Sequence, residues 1–509
     1  MKEKIALGAA PVTLEMVYAI AHGAPVELAP VARQRVQSAR DLVENLAAGE
    51  KPVYGVTTGF GALAEVKVPK DQLKALQRNL ILSHSAGVGR PLSKPETRAM
   101  MFLRAQTLSE GNSGCRPEVI EMVLEMLNKG VHPRIPEKGS VGASGDLAPL
   151  AHIALAMIGE GMVEYQGEII PAKQALEHAS LSPLTLEAKE GLSLVNGTQA
   201  MSAVGVLALL QAEALCRLAD IAGAMTLEGL AGLASAFDDR IQQLRPHPGQ
   251  RASAENLRRL LEGSDTNRPA NGDTRVQDPY SLRCIPQVHG ATRDALRYAR
   301  EVFTCEINSA TDNPLVFPED GDIVSGGNFH GQPLALALDF AAIAMAEIGN
   351  ISERRVEQLV NPALSGLPPF LVPESGIHSG YMMAQVTAAS LVNENKLFAN
   401  PSSTDSIPGS ASREDHVSMG MTSARKLREI VTNIQSILAV EVLCATQAID
   451  FRKPDALGKG TAIAHQTVRA VIPHLDSDRL LAHDMQLTLE LEQREDIQNA
   501  VEAAIGRLN

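Results

Sequence analysis

Residues 191–236 read GLSLVNGTQAMSAVGVLALLQAEALCRLADIAGAMTLEGLAGLASA, a run rich in Ala, Leu and Gly with few charges. A helix without a polar face has to be covered on all sides. Residues 330–363 form a second segment of this kind. A third stripe, Leu427, Val431, Ile434, Leu438, Val442 and Ala445, mixes steps of three and four and predicts a long bundle helix. Together they predict a mainly α fold, a central long-helix bundle whose apolar faces are covered within the chain or by other copies. Self-association is the favoured cover.

Shorter signals fill in around this bundle. Pro117 opens and Gly130 closes a helix with the stripe Val119, Met122, Val123, Met126 and Leu127. Strand signals are short and few. Residues 162–165 with 168–170, and 315–317 with 322–325, read as small hairpins on the rim of a helical body. The stretch 263–274, GSDTNRPANGDT, reads as a loop. There is no internal repeat. We read 1–509 as one chain in three parts: an N-terminal part to 145, the central bundle over 146–460, and C-terminal helices over 461–509.

Composition narrows the function. With 45% hydrophobic and 21% charged residues in a 509-residue chain, disorder is excluded as the main description. A net charge of −13 argues against a nucleic-acid surface and suits a small polar substrate. Five scattered cysteines without a CxxC pair read as reduced intracellular thiols, neither a disulfide frame nor a zinc site. The opening MKEKIALGAAPVTLEM is too weakly apolar for a signal peptide. The longest uncharged stretch, 191–212, carries Asn196, Thr198, Gln199 and Gln211 and reads as too polar to cross a bilayer. A cytoplasmic protein with no membrane or nucleic-acid partner is expected.

Common catalytic signatures fail. Gly458-Lys459-Gly460-Thr461 lacks the upstream glycine and the Lys-Ser/Thr pair of a P-loop. There is no GxGxxG after a strand, no HExxH and no GxSxG elbow. No metal or nucleotide is predicted.

Residues 139–152 read GSVGASGDLAPLAH. By itself this is a glycine-rich turn before a helix capped by Asp146. It also has a chemical capacity. Gly145 lacks a Cβ, so its amide nitrogen can approach the Ala143 carbonyl carbon. Ring closure and dehydration of Ser144 would leave a 4-methylidene-imidazol-5-one (MIO), an electrophile made from the chain.

The stretch resembles the signature of the aromatic amino-acid ammonia-lyases, which use this prosthetic group. Further blocks agree in order: YGVTTGFG at 54–61, LILSHSAGVGRPL at 80–92, GLSLVNGTQA at 191–200, VQDPYSLRCIPQVHG at 276–290, NPLVFPEDGDIVSGGNFHG at 313–331, SERRVEQLVNP at 352–362 and DSIPGSASREDHVSMG at 405–420. The likeness spans essentially the whole chain. It implies a bundle-forming homotetramer with active sites shared between subunits, and removal of ammonia from an α-amino acid. Addition of the substrate amine to the methylidene carbon would make the nitrogen a better leaving group; attack by the substrate ring is the alternative, and both stay open.

By this resemblance Tyr54 is the base for the β-proton, and its phenol would have to be lowered from an ordinary pKa of about 10. Arg283 grips the substrate carboxylate through a two-pronged contact. Asn196, Gln277, Tyr280 and Phe329 surround the ring or orient substrate, with Tyr280 among the catalytic set and Phe329 packing rather than reacting. Asp146 either assists closure or only caps a helix. His84 and Glu414 match the histidine-acting branch, since an imidazole both donates and accepts hydrogen bonds. A phenyl ring would leave Glu414 unpaired, at about 1–3 kcal/mol or more. Met382 lines the same pocket. Two residues depart from that branch: Arg413 where glutamine is usual, and Thr57 where asparagine is common. The substrate implied is L-histidine and the product trans-urocanate. A tyrosine- or phenylalanine-acting lyase, an aminomutase, and a non-catalytic helical assembly protein are the alternatives.

Overall fold

The computed structural model describes residues 4–49, 53–59, 68–265 and 276–509. Most of the expected loop at 263–274, and the last two residues of YGVTTGFG, lie outside the described residues.

The three apolar segments are helices. Gln199–Gly229, Gln332–Val360 and Gly420–Arg452 run 31, 29 and 33 residues. The first begins later than its apolar run, because Asn196-Gly197-Thr198 breaks it from the short helix Glu190–Val195. By length and composition all three could cross a membrane, with mean hydropathy between 1.4 and 1.6 over their most apolar windows. This corrects the reading of 191–212 as too polar: that stretch ended at the first charge, whereas the apolar helix continues past it. In the fold 67%, 67% and 83% of those windows is buried. Most of the cover expected from other copies is therefore supplied by the chain itself.

The helix Pro117–Lys129 forms as its stripe dictates. Proline occupies the first turn, where a missing N–H costs nothing, and Gly130 ends it in the left-handed conformation at φ 75°. Val119, Val123, Met126 and Leu127 are buried along one face. Both hairpins are present, 162–165 with 168–171 and 315–317 with 322–324. A short strand at 132–133 extends the first hairpin to three strands. Two further pairings had no clear pattern to announce them: Ile5–Leu7 with Val26–Leu28 in parallel, and Val88–Pro91 with Pro136–Lys138. All five cysteines are free thiols.

The chain forms two compact units. One comprises 1–208, 299–339 and 401–425; the other comprises 209–298, 340–400 and 426–509. In the second unit, Glu441 joins three helices through buried groups. Its carboxylate accepts from Thr226 Oγ1 at 2.8 Å, Ser352 Oγ at 2.6 Å and the Arg355 guanidinium at 2.5 and 2.9 Å. A buried carboxylate so fully bonded fixes helix register, because displacing any partner strands a charge. The first unit carries the turn 139–146.

Candidate active site

The turn is shaped by glycines. Gly142 has φ +69° and Gly145 φ +74°, conformations that oppose a Cβ. Space excludes one as well: a Cβ on Gly145 would lie 2.1 Å from Gly197 O and 2.3 Å from its carbonyl carbon. The Asp146 N–H donates to Gly197 O at 2.7 Å, fastening the end of the tripeptide to the break between two helices. At the other end the Gly142 carbonyl accepts from Ser418 Oγ at 2.9 Å and the Gly331 N–H at 3.2 Å, and Val141 O accepts from the Met419 N–H at 2.8 Å. Ala143 and Gly145 are buried and Ser144 is half-buried.

Asp146 begins the helix Leu147–Met157, yet its side chain caps no N–H of that helix. It accepts instead from the Met201 N–H at 2.8 Å, in the first turn of Gln199–Gly229, and from Ser140 Oγ at 2.7 Å. The helix it caps is thus not its own, which corrects that half of the expectation. Burial pushes its carboxyl up to about 6, against the pull of its hydrogen bonds. A carboxyl poised there can hold or release a proton near neutrality.

Ser144 Oγ donates to Glu414 Oε1 at 2.7 Å, across 270 residues of sequence. Glu414 is held by a bridge in which Gly409 N–H donates to Glu414 O at 2.9 Å and Glu414 N–H to Gly409 O at 3.3 Å. Between them Ser410, Ala411 and Ser412 all adopt φ from 49° to 64°, a strained run for residues bearing a Cβ. Arg413 is exposed, and among the described residues no ion pair joins it to Glu414. His84 ends the helix Leu73–His84, and its Nδ1 lies 2.9 Å from Leu80 O. A carbonyl only accepts, so Nδ1 carries the hydrogen and Nε2 of the neutral ring keeps its lone pair. Burial holds this imidazole below its ordinary value, while its bond to Leu80 and the nearby Glu414 charge oppose the shift.

Tyr54 opens a tight turn at 54–57 and is half-buried. Gly55 has φ +71°, and a Cβ there would meet Leu192 at 2.6 Å. Thr57 Oγ1 accepts the Val53 N–H at 2.9 Å, so this departure from the branch pattern serves the turn. Asn196 is buried, and its Nδ2 donates to Asn313 O at 3.0 Å. Its Oδ1 has no partner, the kind of buried acceptor that asks for a donor. Phe329, half-buried, lies in a turn after the strand Asp322–Val324. The next residue, His330, stacks on His416 with centroids 5.8 Å apart.

Arg104 escaped the sequence reading. It is fully buried, and donates from Nη1 to Asn196 O and Gln199 Oε1, both at 2.7 Å, and from Nη2 to Ser193 O. It thereby braces the interruption between two helices against which Gly145 sits. Only its place among the apolar residues of 94–109 could have signalled this.

Gln277, Tyr280, Arg283 and Met382 belong to the second unit. Tyr280 is 70% exposed, and the Arg283 guanidinium carbon lies 4.5 Å from its ring centroid. Gln277 and Arg283 line a cavity of about 320 Å³ with Asp278, Cys284 and Gln287. Arg283 Nε and Gln287 Oε1 are without partners. Met382 starts the helix Met382–Phe398 and is 36% exposed. The residues brought together within the first unit are thus Ser144, Glu414 and His84, with Asn196 and Asp146 around the turn.

A sequence model of the family described as aromatic amino acid lyase matches residues 12–470. Among curated relatives, the histidine ammonia-lyase of Stigmatella aurantiaca is 57% identical over 490 residues, 96% of each chain. That of Symbiobacterium thermophilum is 53% identical over 507 residues, 99% of this chain and 100% of the relative. Among solved structures, histidine ammonia-lyase from Trypanosoma cruzi superposes with a TM-score of 0.92 at 42% identity, covering 99% of this chain and 96% of that one. Tyrosine aminomutase from Streptomyces globisporus gives 0.94 at 38% identity, with full coverage of both. Backbone shape alone does not separate these activities.

Proposed function

Because the chain belongs to the aromatic amino acid lyase family, we propose that it is a cytoplasmic carbon–nitrogen lyase that removes ammonia from L-histidine to give trans-urocanate. Its prosthetic group would be a 4-methylidene-imidazol-5-one closed from Ala143, Ser144 and Gly145. The residues present fit that group. Gly145 sits where only glycine has room, Ser144 Oγ is held by Glu414, and Asp146 is a carboxyl able to trade a proton near neutrality. Once formed, the group would supply the electrophile for the elimination, met by either the substrate amine or its ring.

The observation that carries the choice of histidine is the pairing of Glu414 and His84. Glu414 Oε1 accepts from Ser144 itself, and His84 lies within its field with Nε2 free to accept. Two acceptors suit an imidazolium, which donates from both ring nitrogens, and do not suit a phenyl ring, which donates none. In the proposed reaction Tyr54 takes the β-proton while the Cα–N bond breaks and its electrons leave with nitrogen. The electrons of the Cβ–H bond become the new double bond. Arg283 holds the carboxylate, Gln277 and Tyr280 orient the substrate backbone, and Phe329 and Met382 line the site. Asn196 Oδ1 is placed to accept from an N–H.

We further infer a homotetramer with shared sites. Gln277, Tyr280 and Arg283 lie in a different unit from Tyr54 and Ser144, and Tyr280 is largely exposed. On the long helix Gln332–Val360, Phe340 and Ile343 are 48% and 42% exposed, an apolar strip of the kind that associates.

A second reading, a tyrosine-acting lyase or aminomutase, is favoured only by the high structural likeness to tyrosine aminomutase. Turnover of L-histidine, L-tyrosine and L-phenylalanine by purified protein, followed by absorbance of the conjugated product, tests the proposal. Histidine should be the one rapid substrate. Faster release of a cinnamate-type product, or of a β-amino acid, refutes it.

A further inference from the structure

We propose that Ser418 is a positioning residue for closure of the Ala143–Ser144–Gly145 ring, acting through the Gly142 carbonyl. The inference rests on the ring reading above. Closure joins Gly145 N to the Ala143 carbonyl carbon. The Ala143 oxygen leaves as water with the Gly145 and Ser144 amide hydrogens, and a C=N bond forms. A second water takes the Ser144 Cα hydrogen and its Cβ hydroxyl, and a C=C bond forms. No oxidant is consumed; the difficulty is geometric, because two atoms of one tripeptide must be held within bonding reach.

That reach depends on how Ala143 is presented, which the preceding peptide plane determines. The plane is gripped from 417–420. Ser418 Oγ donates to Gly142 O at 2.9 Å, and the same oxygen accepts the Gly420 N–H at 3.2 Å. With one lone pair occupied by Gly420, the hydroxyl's single hydrogen is directed at Gly142 O. Ser418 is fully buried, so no water competes for it. Contact is close as well: a Cβ on Gly142 would fall 2.1 Å from Ser418 Oγ. Beyond the tripeptide, Gly145 rests on Gly197 and the Asp146 N–H is tied to Gly197 O. The tripeptide is therefore clamped at both ends, with Ser418, among the described residues, the side chain that bonds a carbonyl at the N-terminal end.

Ser418→Ala tests this by a readout independent of turnover, the intact mass of freshly made chain followed over time. Ser423→Ala is the control, since it deletes another fully buried hydroxyl from the same segment, one without a hydrogen-bond partner. Ser418→Ala should lose its two waters about tenfold more slowly than the parent, the effect of one directed hydrogen bond. Its thermal midpoint should fall somewhat below that of Ser423→Ala, because the buried Gly420 N–H loses its acceptor, but the slower dehydration should persist at temperatures far below both midpoints, and kcat and KM per matured site should be unchanged. Ser418→Cys, with a weaker donor of similar shape, should mature at an intermediate rate. Dehydration of Ser418→Ala at the parent's rate overturns the inference. So does equal slowing in Ser423→Ala, or a delay that merely tracks lost stability. A parent chain that never loses water overturns the ring reading itself, a result distinguishable from both.

Discussion

Replacing Gly145 by alanine measures the confinement on which ring formation depends. At φ +74° an L-residue is disfavoured, and the new Cβ would stand 2.1, 2.3 and 2.8 Å from the O, C and Cα of Gly197. These are backbone atoms, so no side-chain tip can swing aside. Gly197 cannot retreat either. Its own far side is filled by Gln199 Oε1 and Thr311 O at 2.5 Å and Arg104 Nη1 at 2.6 Å from an ideal Cβ position. Behind them Arg104 is pinned by its bonds to Asn196 O and Gln199. Ordinary contact would require the two strands to part by roughly an ångström, with overpacking of about 1–3 kcal/mol added to about 1–2 kcal/mol for the left-handed backbone. The sum, about 2–5 kcal/mol, makes the closing geometry about thirty- to several-thousand-fold rarer.

Intact mass resolves the outcome without reference to activity. Parent chains should be lighter than the translated sequence by two waters, and Gly145→Ala chains should keep both. Circular dichroism should still report a helical protein, because the substitution lies in a turn. A Gly145→Ala chain that dehydrated as fast as the parent would refute the reasoning, since it would mean the gap to Gly197 opens at little cost.

Three further outcomes follow from the same geometry. Glu414→Gln removes a charged acceptor and should lower kcat/KM for histidine by about 10- to 150-fold, corresponding to about 1.5–3 kcal/mol. The ratio of phenylalanine to histidine turnover should rise, as the substrate panel will show. Burial holds the Asp146 proton to about pH 6, against 3.8 for the ordinary carboxyl. The fold should therefore gain about 3 kcal/mol below about pH 4, lost as pH rises through about 6. Asp146→Asn should erase that slope in denaturant titrations across this range, provided the amide keeps the Met201 contact. Phe340→Glu places a charge on the exposed strip of Gln332–Val360 and, if the proposed tetramer forms through it, should shift the protein toward smaller species by light scattering, with activity falling in step.

What could be read in advance divides along physical lines. The long helices and both hairpins were legible because periodicity and turn residues act over a few positions, and the structure forms them from those same residues. Contacts across the chain carry no such local mark. Ser144 and Glu414 are 270 residues apart, and only the ordered blocks of family resemblance suggested that they share a site. Arg104 shows why resemblance to a motif is also insufficient. An arginine in a helix usually reads as solvated, yet here its neighbours Ala99–Leu103 and Ala105–Leu108 are all buried, so the guanidinium has no path to water. It must spend its donors on backbone carbonyls, and the carbonyls within reach are those of the break at 193–197. Asp146 followed the same logic. Its position before a helix predicted a cap, but full burial required every oxygen to find the strongest donor nearby, and that donor belonged to the first turn of a different helix. Buried polar groups are thus where local rules give way, and two of them, Arg104 and Asp146, converge on one turn. That convergence is itself the argument for chemistry at 143–145: a merely structural turn would not need a buried acid, a braced arginine and glycines on both faces to hold it.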